Sequence, residues 1–566
     1  MKNKLLFLLP IILIGWLTMA AQWTPDAMMN SQLSNLAGEQ VLPKIAVCSD
    51  GAYYVAWFSS ESGNYNVRLQ RLDKDGFPMW EDNGLLVSDH PQMSWLTDWA
   101  LAVDPDNYAL VTFQDIRNTD NNPVGYRVSP SGDMMWGEDG IMLSNLTNFE
   151  PSPVVCATEA GNAVFAWPSE AEANMEVHVQ KVSPTGELLW GEGLVIAYSG
   201  VNVTSPFLLP ASDDHVYLVW HEETGPFWAP TRALYVQELD ADGNFMWGTD
   251  VEVYPPSPGG PVITLQMCRD NSGGIVFSWY GNDQGTHFNC WVQHMDGDGM
   301  ITMPTGTIVS TSMARNHMYP APAFVPQTEE IVVYFSEQDL NQNQRGLYAQ
   351  KFSQQGDRLW TDEGKQLISL SNNDYSLPMS GGVNDQSICI YQAYEFGGVV
   401  DSKIQAVMLD IDGNFVWEDE FIDMSTNQSS KLHTVMAPYS FGQWVVAWED
   451  ERNDGGDIYA QNIQPDGSLG MVMTSIDALE TIDQLSVVVQ PNPFISEVSF
   501  ELSNAEKGDL VLEIFDMTGK SMEIIHRDKQ ADNLLITING FDFPSGFYFY
   551  SMRINEHEKF GKLVKQ

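Results

Sequence analysis

A hairpin-turn pattern recurs eight times along this chain. An apolar strand runs into an Asp- or Ser-rich turn closed by Gly, usually with an aromatic residue four positions later. The copies read Leu72-Asp73-Lys74-Asp75-Gly76 with Trp80, Val128-Ser129-Pro130-Ser131-Gly132 with Trp136, and Val182-Ser183-Pro184-Thr185-Gly186 with Trp190. They continue as Leu239-Asp240-Ala241-Asp242-Gly243 with Trp247, Met295-Asp296-Gly297-Asp298-Gly299, and Phe352-Ser353-Gln354-Gln355-Gly356 with Trp360. The last two are Leu409-Asp410-Ile411-Asp412-Gly413 with Trp417 and Ile463-Gln464-Pro465-Asp466-Gly467. Successive turn glycines are 56, 54, 57, 56, 57, 57 and 54 residues apart. A fixed period of this length means one supersecondary unit repeated in space, and it overrides any domain count taken from length.

Four short strands fit each unit. In the first they are Pro43–Cys48, Tyr53–Phe58, Val67–Leu72 and a run from about Trp80 to Val87, rich in β-branched and aromatic residues and joined by Gly-containing turns. Strand B recurs as Ala109–Phe113, Ala163–Trp167, Val216–Trp220, Ile275–Trp279, Ile331–Phe335 and Trp444–Trp448, and no amphipathic helix interrupts the series. Radially repeated four-stranded units make a β-propeller, here with eight blades. The segment Ala27–Ser34 is expected to supply the outer strand of the last blade, because little chain follows Gly467 before the pattern stops. Turns after strands A and C fall on one face of such a fold, and loops after B and D on the ligand face.

The flanks differ from the repeats. Residues 1–21 read as a secretory signal peptide: Lys2 and Lys4, an apolar run Leu5–Leu17, and a small-residue cleavage site ending at Ala20 or Ala21. No later apolar run reaches the ~18 residues of a membrane helix, so the mature chain is expected to carry no transmembrane span. Residues 22–475 form the repeat domain, 476–484 a linker, and 485–566 a C-terminal domain of alternating strands and turns that fits an Ig-like β-sandwich.

Charge excludes one class of partner. With 27 Lys and Arg against 75 Asp and Glu the net charge is −48, which repels phosphate backbones and argues against nucleic acid. Cys48, Cys156 and Cys268 lie 28, 30 and 31 residues before their turn glycines. They therefore occupy equivalent strands of separate units, too far apart to bridge, and read as buried free thiols.

The striking side chains mostly have local explanations. Asp-x-Asp-Gly offers two acids where a calcium loop needs about six oxygens and usually a later acidic ligand. Asp and Gly also favour tight hairpins for backbone reasons. Gly-x-x-x-Trp faintly resembles the Asp-box of sialidase-like propellers, but the aromatic falls one residue late and the Thr is missing, so these tryptophans are expected to pack between units. The acidic loop Glu449–Asp457 carries Arg452 for internal pairing. The loop after the fourth strand B carries the ligand-binding candidates His221, Glu222, Glu223, Trp228 and Arg232, suited to sugar binding or acid–base work. Adjacent Glu222 and Glu223 are expected to point in different directions. No His-Glu-x-x-His, Cys-x-x-Cys, Gly-x-Ser-x-Gly or phosphate loop is present, so no catalytic residue, metal or cofactor is assigned.

The C-terminal segment carries ordered motifs: Pro491-Asn492-Pro493-Phe494, then Asp516-Met517-Thr518-Gly519, Gly546-Phe547-Tyr548, and Lys562-Leu563-Val564-Lys565. It resembles the type A C-terminal sorting domain of the type IX secretion system of Bacteroidetes. The resemblance implies that these residues are an export address read by that secretion machinery, and that the passenger is released or held on the outer-membrane surface. The expected function is a secreted or cell-surface binding or adhesion protein for an extracellular glycan or protein. The alternatives are a polysaccharide- or peptide-processing enzyme with its site on the ligand face, and a structural surface-layer protein.

Overall fold

Strand B of every repeat opens on a mostly apolar run, and the fold explains why. It lies in the middle of a four-stranded antiparallel sheet whose two faces are both covered, so the usual alternation of apolar and polar residues is lost. Tyr53–Ser59 and Ile275–Gly281, for example, are buried at every position. The computed structural model describes residues 23–471 and 486–565, apart from 61–62, 93, 95–96, 118–119, 172–173, 227–228, 259–264, 283–286, 304–305, 396–400, 493, 504–506, 517–519, 532, 540–542, 545 and 555–556. The signal segment 1–21 and the linker 476–484 lie outside the described residues. The chain divides into two units, Met1–Val472 and Met473–Gln566. Among the described residues there is no α-helix, and so none long and apolar enough to cross a membrane.

In the first unit the described residues form eight four-stranded sheets. Sheet 1 comprises Gln40–Val47, Tyr53–Ser59, Asn66–Leu72 and Leu85–Ser88, paired in chain order. Its fourth strand starts later than Trp80, which instead sits in the connection from the third strand. Sheets 2 to 7 repeat the order over residues 100–142, 154–196, 202–258, 266–308, 315–371 and 373–425. Sheet 8 contains Lys431–Met436, Trp444–Asp450 and Asp457–Ile463, and its fourth strand is Ser31–Gln32, pairing as Ser31↔Ala460 and Gln32↔Tyr459. Leu33 N donates to Ile458 O (2.8 Å) and Ile458 N to the Ser34 hydroxyl Oγ (2.8 Å), extending that junction.

Each neighbouring pair of sheets shares an apolar cluster. Tyr54, Phe58, Trp99 and Phe113 join sheets 1 and 2, Trp220 joins 3 to 4, and Tyr334 and Tyr391 join 6 to 7. Tyr53, Val55, Val445 and Ala447 join sheet 8 back to sheet 1, together with Trp23 and Leu33 from the N-terminal segment. Gln266 of sheet 5 donates to the Pro378 carbonyl of sheet 7 (3.1 Å), so the first strands of these two sheets approach each other.

A left-handed residue recurs within five of the sheets' first strands and just before a sixth. Leu42, Ser152, Ser205, Tyr319, Leu377 and His433 have left-handed φ of 54, 51, 48, 55, 50 and 48°. At five of them the pairing register slips, as between Val41 and Lys44 or Ser376 and Met379. These are β-bulges, which bend a strand and re-aim its side chains. The recurring Pro43, Pro153, Pro206, Pro320 and Pro378 immediately after them was the available signal, since Pro cannot donate to a ladder.

The repeated turns prove to be clasps. Asp73, Asp240, Asp296 and Asp410 each use Oδ1 to accept two backbone N–H bonds inside their own turn, for Asp240 from Asp242 (2.9 Å) and Asn244 (2.7 Å). The turn Gly then takes a positive φ, and the Trp of the preceding unit lies against it. Trp80 covers Gly132, Trp136 covers Gly186, Trp190 covers Gly243, Trp247 covers Gly299, Trp360 covers Gly413 and Trp417 covers Gly467. Several of these indoles also donate to a carbonyl of the covered turn, as Trp136 does to Pro184 (3.1 Å) and Trp417 to Pro465 (2.9 Å). The tryptophans therefore pack between units. Gly76 of the first turn is covered by Trp23, whose Nε1 donates to Lys74 O at 2.9 Å. Gly356 is covered by Met303 and Thr307 instead, because the fifth repeat lacks the Trp. The five cysteines are free thiols, and burial pushes those of Cys48, Cys156 and Cys268 up to about 12.

The second unit has two antiparallel sheets. One is built from Ser486–Gln490, Glu497–Ser503 and Asn533–Asn539, the other from Ser521–Lys529, Gly508–Asp516, Gly546–Ile554 and His557–Lys565. Phe500, Ile536 and Ile538 of the first meet Leu512, Tyr550 and Leu563 of the second in one core. The address motifs hold the last strand in place. Asn492 donates to Lys562 O (2.7 Å) and accepts from Val564 N (2.8 Å), Phe494 N donates to Val564 O (2.9 Å), and Lys565 Nζ lies 5.7 Å from the buried Phe494 ring. Pro491, preceded by a cis bond, leads into this clasp. Asp516 accepts from Lys520 N (3.1 Å), and Tyr548 donates to Pro544 O (2.7 Å), with Gly546 opening its strand. Pro493 and Gly519 lie outside the described residues.

Candidate functional site

The candidates of the fourth repeat sit on strands, where a loop was expected. His221, Glu222 and Glu223 continue the second strand of sheet 4, Val216–Thr224, and Arg232 begins the third, Thr231–Leu239. Trp228 lies outside the described residues. Because successive strand residues face opposite ways, the three do not converge. Glu223 stands directly across from Arg232 and pairs with its Nε at 2.5 Å. His221 packs edge-on against Phe207, and burial, helped by the nearby Arg232 charge, lowers its pKa to about 4. It is a neutral packing residue at pH 7.

Glu222 is on the other face, beside Trp220 and Tyr235, whose rings stack at 6.1 Å and 26°. The Trp220 indole N–H donates to Glu222 Oε1 at 3.3 Å. Burial raises the Glu222 pKa, and neighbouring Asp250 pushes it the same way. Tyr198 donates to Asp250 Oδ2 (2.6 Å) and Tyr235 to Glu252 Oε2 (3.5 Å), and burial pushes the Tyr235 phenol up to about 12.

This arrangement recurs. In sheet 8, Trp448 stacks with Tyr459 (6.5 Å, 25°) and its indole donates to Asp450 Oδ2 at 2.8 Å. Arg452 pairs with that carboxylate at 2.5 Å, and its guanidinium carbon lies 3.9 Å from the Tyr459 ring centre. In sheet 2, Phe113 stacks with Tyr126 (5.6 Å, 10°), and Arg117 joins Asp115 (2.5 Å) to the Tyr126 hydroxyl (3.1 Å). In sheet 6, Phe335 and Tyr348 lie 6.0 Å apart beside Glu337, and Arg315 Nε is 3.8 Å from the carboxylate. A pocket of about 560 Å³ opens there, lined by Arg315, Glu337, Tyr348, Thr361, Asp362 and Gln366. Its chemistry is that of a polar receptor with an aromatic wall.

The missed signal is a positional one. A carboxylate stands two residues after the last aromatic of strand B in Phe113-Gln114-Asp115, Trp220-His221-Glu222, Phe335-Ser336-Glu337 and Trp448-Glu449-Asp450, which are every second repeat. Among the described residues, no group of three His, Cys, Asp or Glu side chains could hold a metal ion.

Residues 488–566 match the secretion system C-terminal sorting domain family, and with it the chain is directed to export and to secretion or attachment at the cell surface. No curated protein matches the chain. Among solved structures, the Dos1 propeller is 12% identical, with 80% of this chain and 97% of that chain covered and a TM-score of 0.42. The polysaccharide lyase Uly1 is 10% identical, with 80% and 98% covered and a TM-score of 0.39. An endo-arabinase from Bacteroides thetaiotaomicron is 16% identical, with 46% and 96% covered and a TM-score of 0.28.

Proposed function

Taking the sorting domain as premise, we propose that this chain is an exported eight-bladed β-propeller that works outside the cell as a binding or adhesion module. The sorting domain brings the type IX machinery as its one assigned partner. The cycle of eight sheets joined by shared apolar clusters, with the last sheet completed by Ser31–Gln32, supports the propeller reading. The observation that carries the binding reading is the repeated aromatic–carboxylate position, where the repeats differ in what balances the charge. Such variation on a rigid scaffold suits recognition. Glu222 faces away from His221 and Glu223, which weighs against an enzyme whose acid and base are drawn from those three residues.

Two measurements test this reading. Saturable binding of the purified secreted chain to glycan arrays or to defined extracellular proteins, without turnover of a polysaccharide panel, is the expected result. Polysaccharide cleavage that disappears in Glu222→Ala or Glu223→Ala would overturn it in favour of an enzyme.

A further inference from the structure

We propose that the Trp220–Tyr235–Glu222 cradle of sheet 4 is a receptor for a guanidinium group, the arginine side chain of a partner protein. This rests on the binding-module reading and names the partner chemistry at one place on it.

The repeat supplies its own comparison. In sheet 8 the same three positions are Trp448, Tyr459 and Asp450, with the same ring stacking and the same indole-to-carboxylate hydrogen bond. There the chain fills the cradle with its own Arg452, over the tyrosine ring and against the carboxylate. Ser429 adds a 2.6 Å bond to Asp450, and Asn30 accepts from Arg452 at 3.1 Å. Sheet 2 reaches the same end with Arg117, and sheet 6 sets Arg315 toward Glu337.

Sheet 4 keeps the cradle and changes the filling. Trp448 and Trp220 correspond, so the position of Arg452 falls on the exposed Thr224. The neighbouring arginine, Arg232, is held on the opposite face by Glu223. Among the described residues, Glu222 is acted on by its burial, the Trp220 N–H and the repelling Asp250. Asp250 and Glu252 add two carboxylates beside the tyrosines.

A planar cation answers each of these features. A guanidinium stacks on an aromatic face, donates from a rigid fork to carboxylates, and is weakly hydrated, so it tolerates a half-buried site. An ammonium supplies the charge without the fork. A neutral sugar can stack on Tyr235 but leaves the carboxylates unbalanced. The net charge of −48 draws basic partners toward the whole surface.

The test is saturation-transfer NMR on the full secreted chain with acetyl-Gly-Arg-Gly-amide. The expected result is saturable binding, with the citrulline analogue, neutral but of the same shape, at least tenfold weaker. Glu222→Gln and Tyr235→Leu each weaken the arginine peptide tenfold or more, while Glu223→Gln, on the opposite face, changes it less than twofold. A second readout needs no ligand: Asp450→Asn lowers the melting temperature by stranding Arg452, whereas Glu222→Gln leaves it unchanged or raises it. Equal affinity for the two peptides, no effect of Glu222→Gln on binding, or a fall in melting temperature on Glu222→Gln as large as that of Asp450→Asn would overturn the proposal. A neutral oligosaccharide bound at Glu222 in place of the peptide would also overturn it, while leaving the binding-module reading intact.

Discussion

Trp23→Ala should loosen the seam between sheets 8 and 1. Trp23 is fully buried, lies edge-on to Tyr53 at 6.5 Å and covers Gly76. Truncating a buried Trp costs about 3–5 kcal/mol through lost transfer energy and the cavity left behind. The lost bond to Lys74 O adds little, because that carbonyl still accepts from Gln443 Nε2 at 2.7 Å. The seam between sheets 8 and 1 is where the chain ends must be held, so a loss of about 4 kcal/mol falls on local opening there. At 1.4 kcal/mol per decade this is about a thousandfold faster hydrogen exchange. The amides of Ser31–Gln32 and Asp457–Ile463 should lose that protection, while those of sheet 3 keep theirs. Trp136→Ala is the control, since it removes the same kind of clasp from a half-exposed Trp between two continuous repeats. Unchanged exchange at the seam in Trp23→Ala, or an equal effect of Trp136→Ala there, would refute the seam argument.

Other perturbations probe the remaining claims. Gly299→Ala combines a φ of +79° with a Cβ 2.5 Å from the Trp247 ring, whereas Gly161→Ala has the same φ with nothing within 4 Å. Strain alone should cost the second about 1 kcal/mol, and overpacking should bring the first to about 2–4 kcal/mol, as read by urea midpoints. His221 has a folded pKa of about 4 against an ordinary 6.5. Its folded form binds the proton less well than the unfolded one, so stability is full above pH 6.5 and falls as pH drops toward 4, by at most about 3 kcal/mol. His221→Leu should flatten that window by comparison with the native chain, and identical pH profiles would contradict a buried neutral imidazole. Asn492→Ala removes two bonds to the last strand of the sorting domain. That should cost about 2 kcal/mol there and reduce the chain reaching the cell surface, measured by fractionation.

The site was only partly legible before folding. The Trp spacing announces a repeated role, but position alone does not say that Trp80 covers Gly132 of the following unit. That is a contact between units, set by how neighbouring sheets stack. The loop assigned to His221, Glu222 and Glu223 is a strand because the sheet 4 hairpin stays paired out to Thr224↔Thr231. Polar residues at a strand end look the same as polar residues in a loop. The left-handed residues before the prolines escaped for a related reason, since Leu42 or Tyr319 carries no local preference for that conformation.

By itself the sequence determined the period, the four-strand unit, the strand with its apolar run, and the C-terminal address. Each is written in local pattern: turn chemistry, alternation or its loss, and ordered motifs. Only the tertiary structure decided which unit each Trp covers, that Trp23 completes the first turn, and which carboxylates the chain balances with its own arginines. Those outcomes depend on how neighbouring units pack and on where each strand end sets its side chains, and the free energy of such meetings is a property of packing that no local pattern carries.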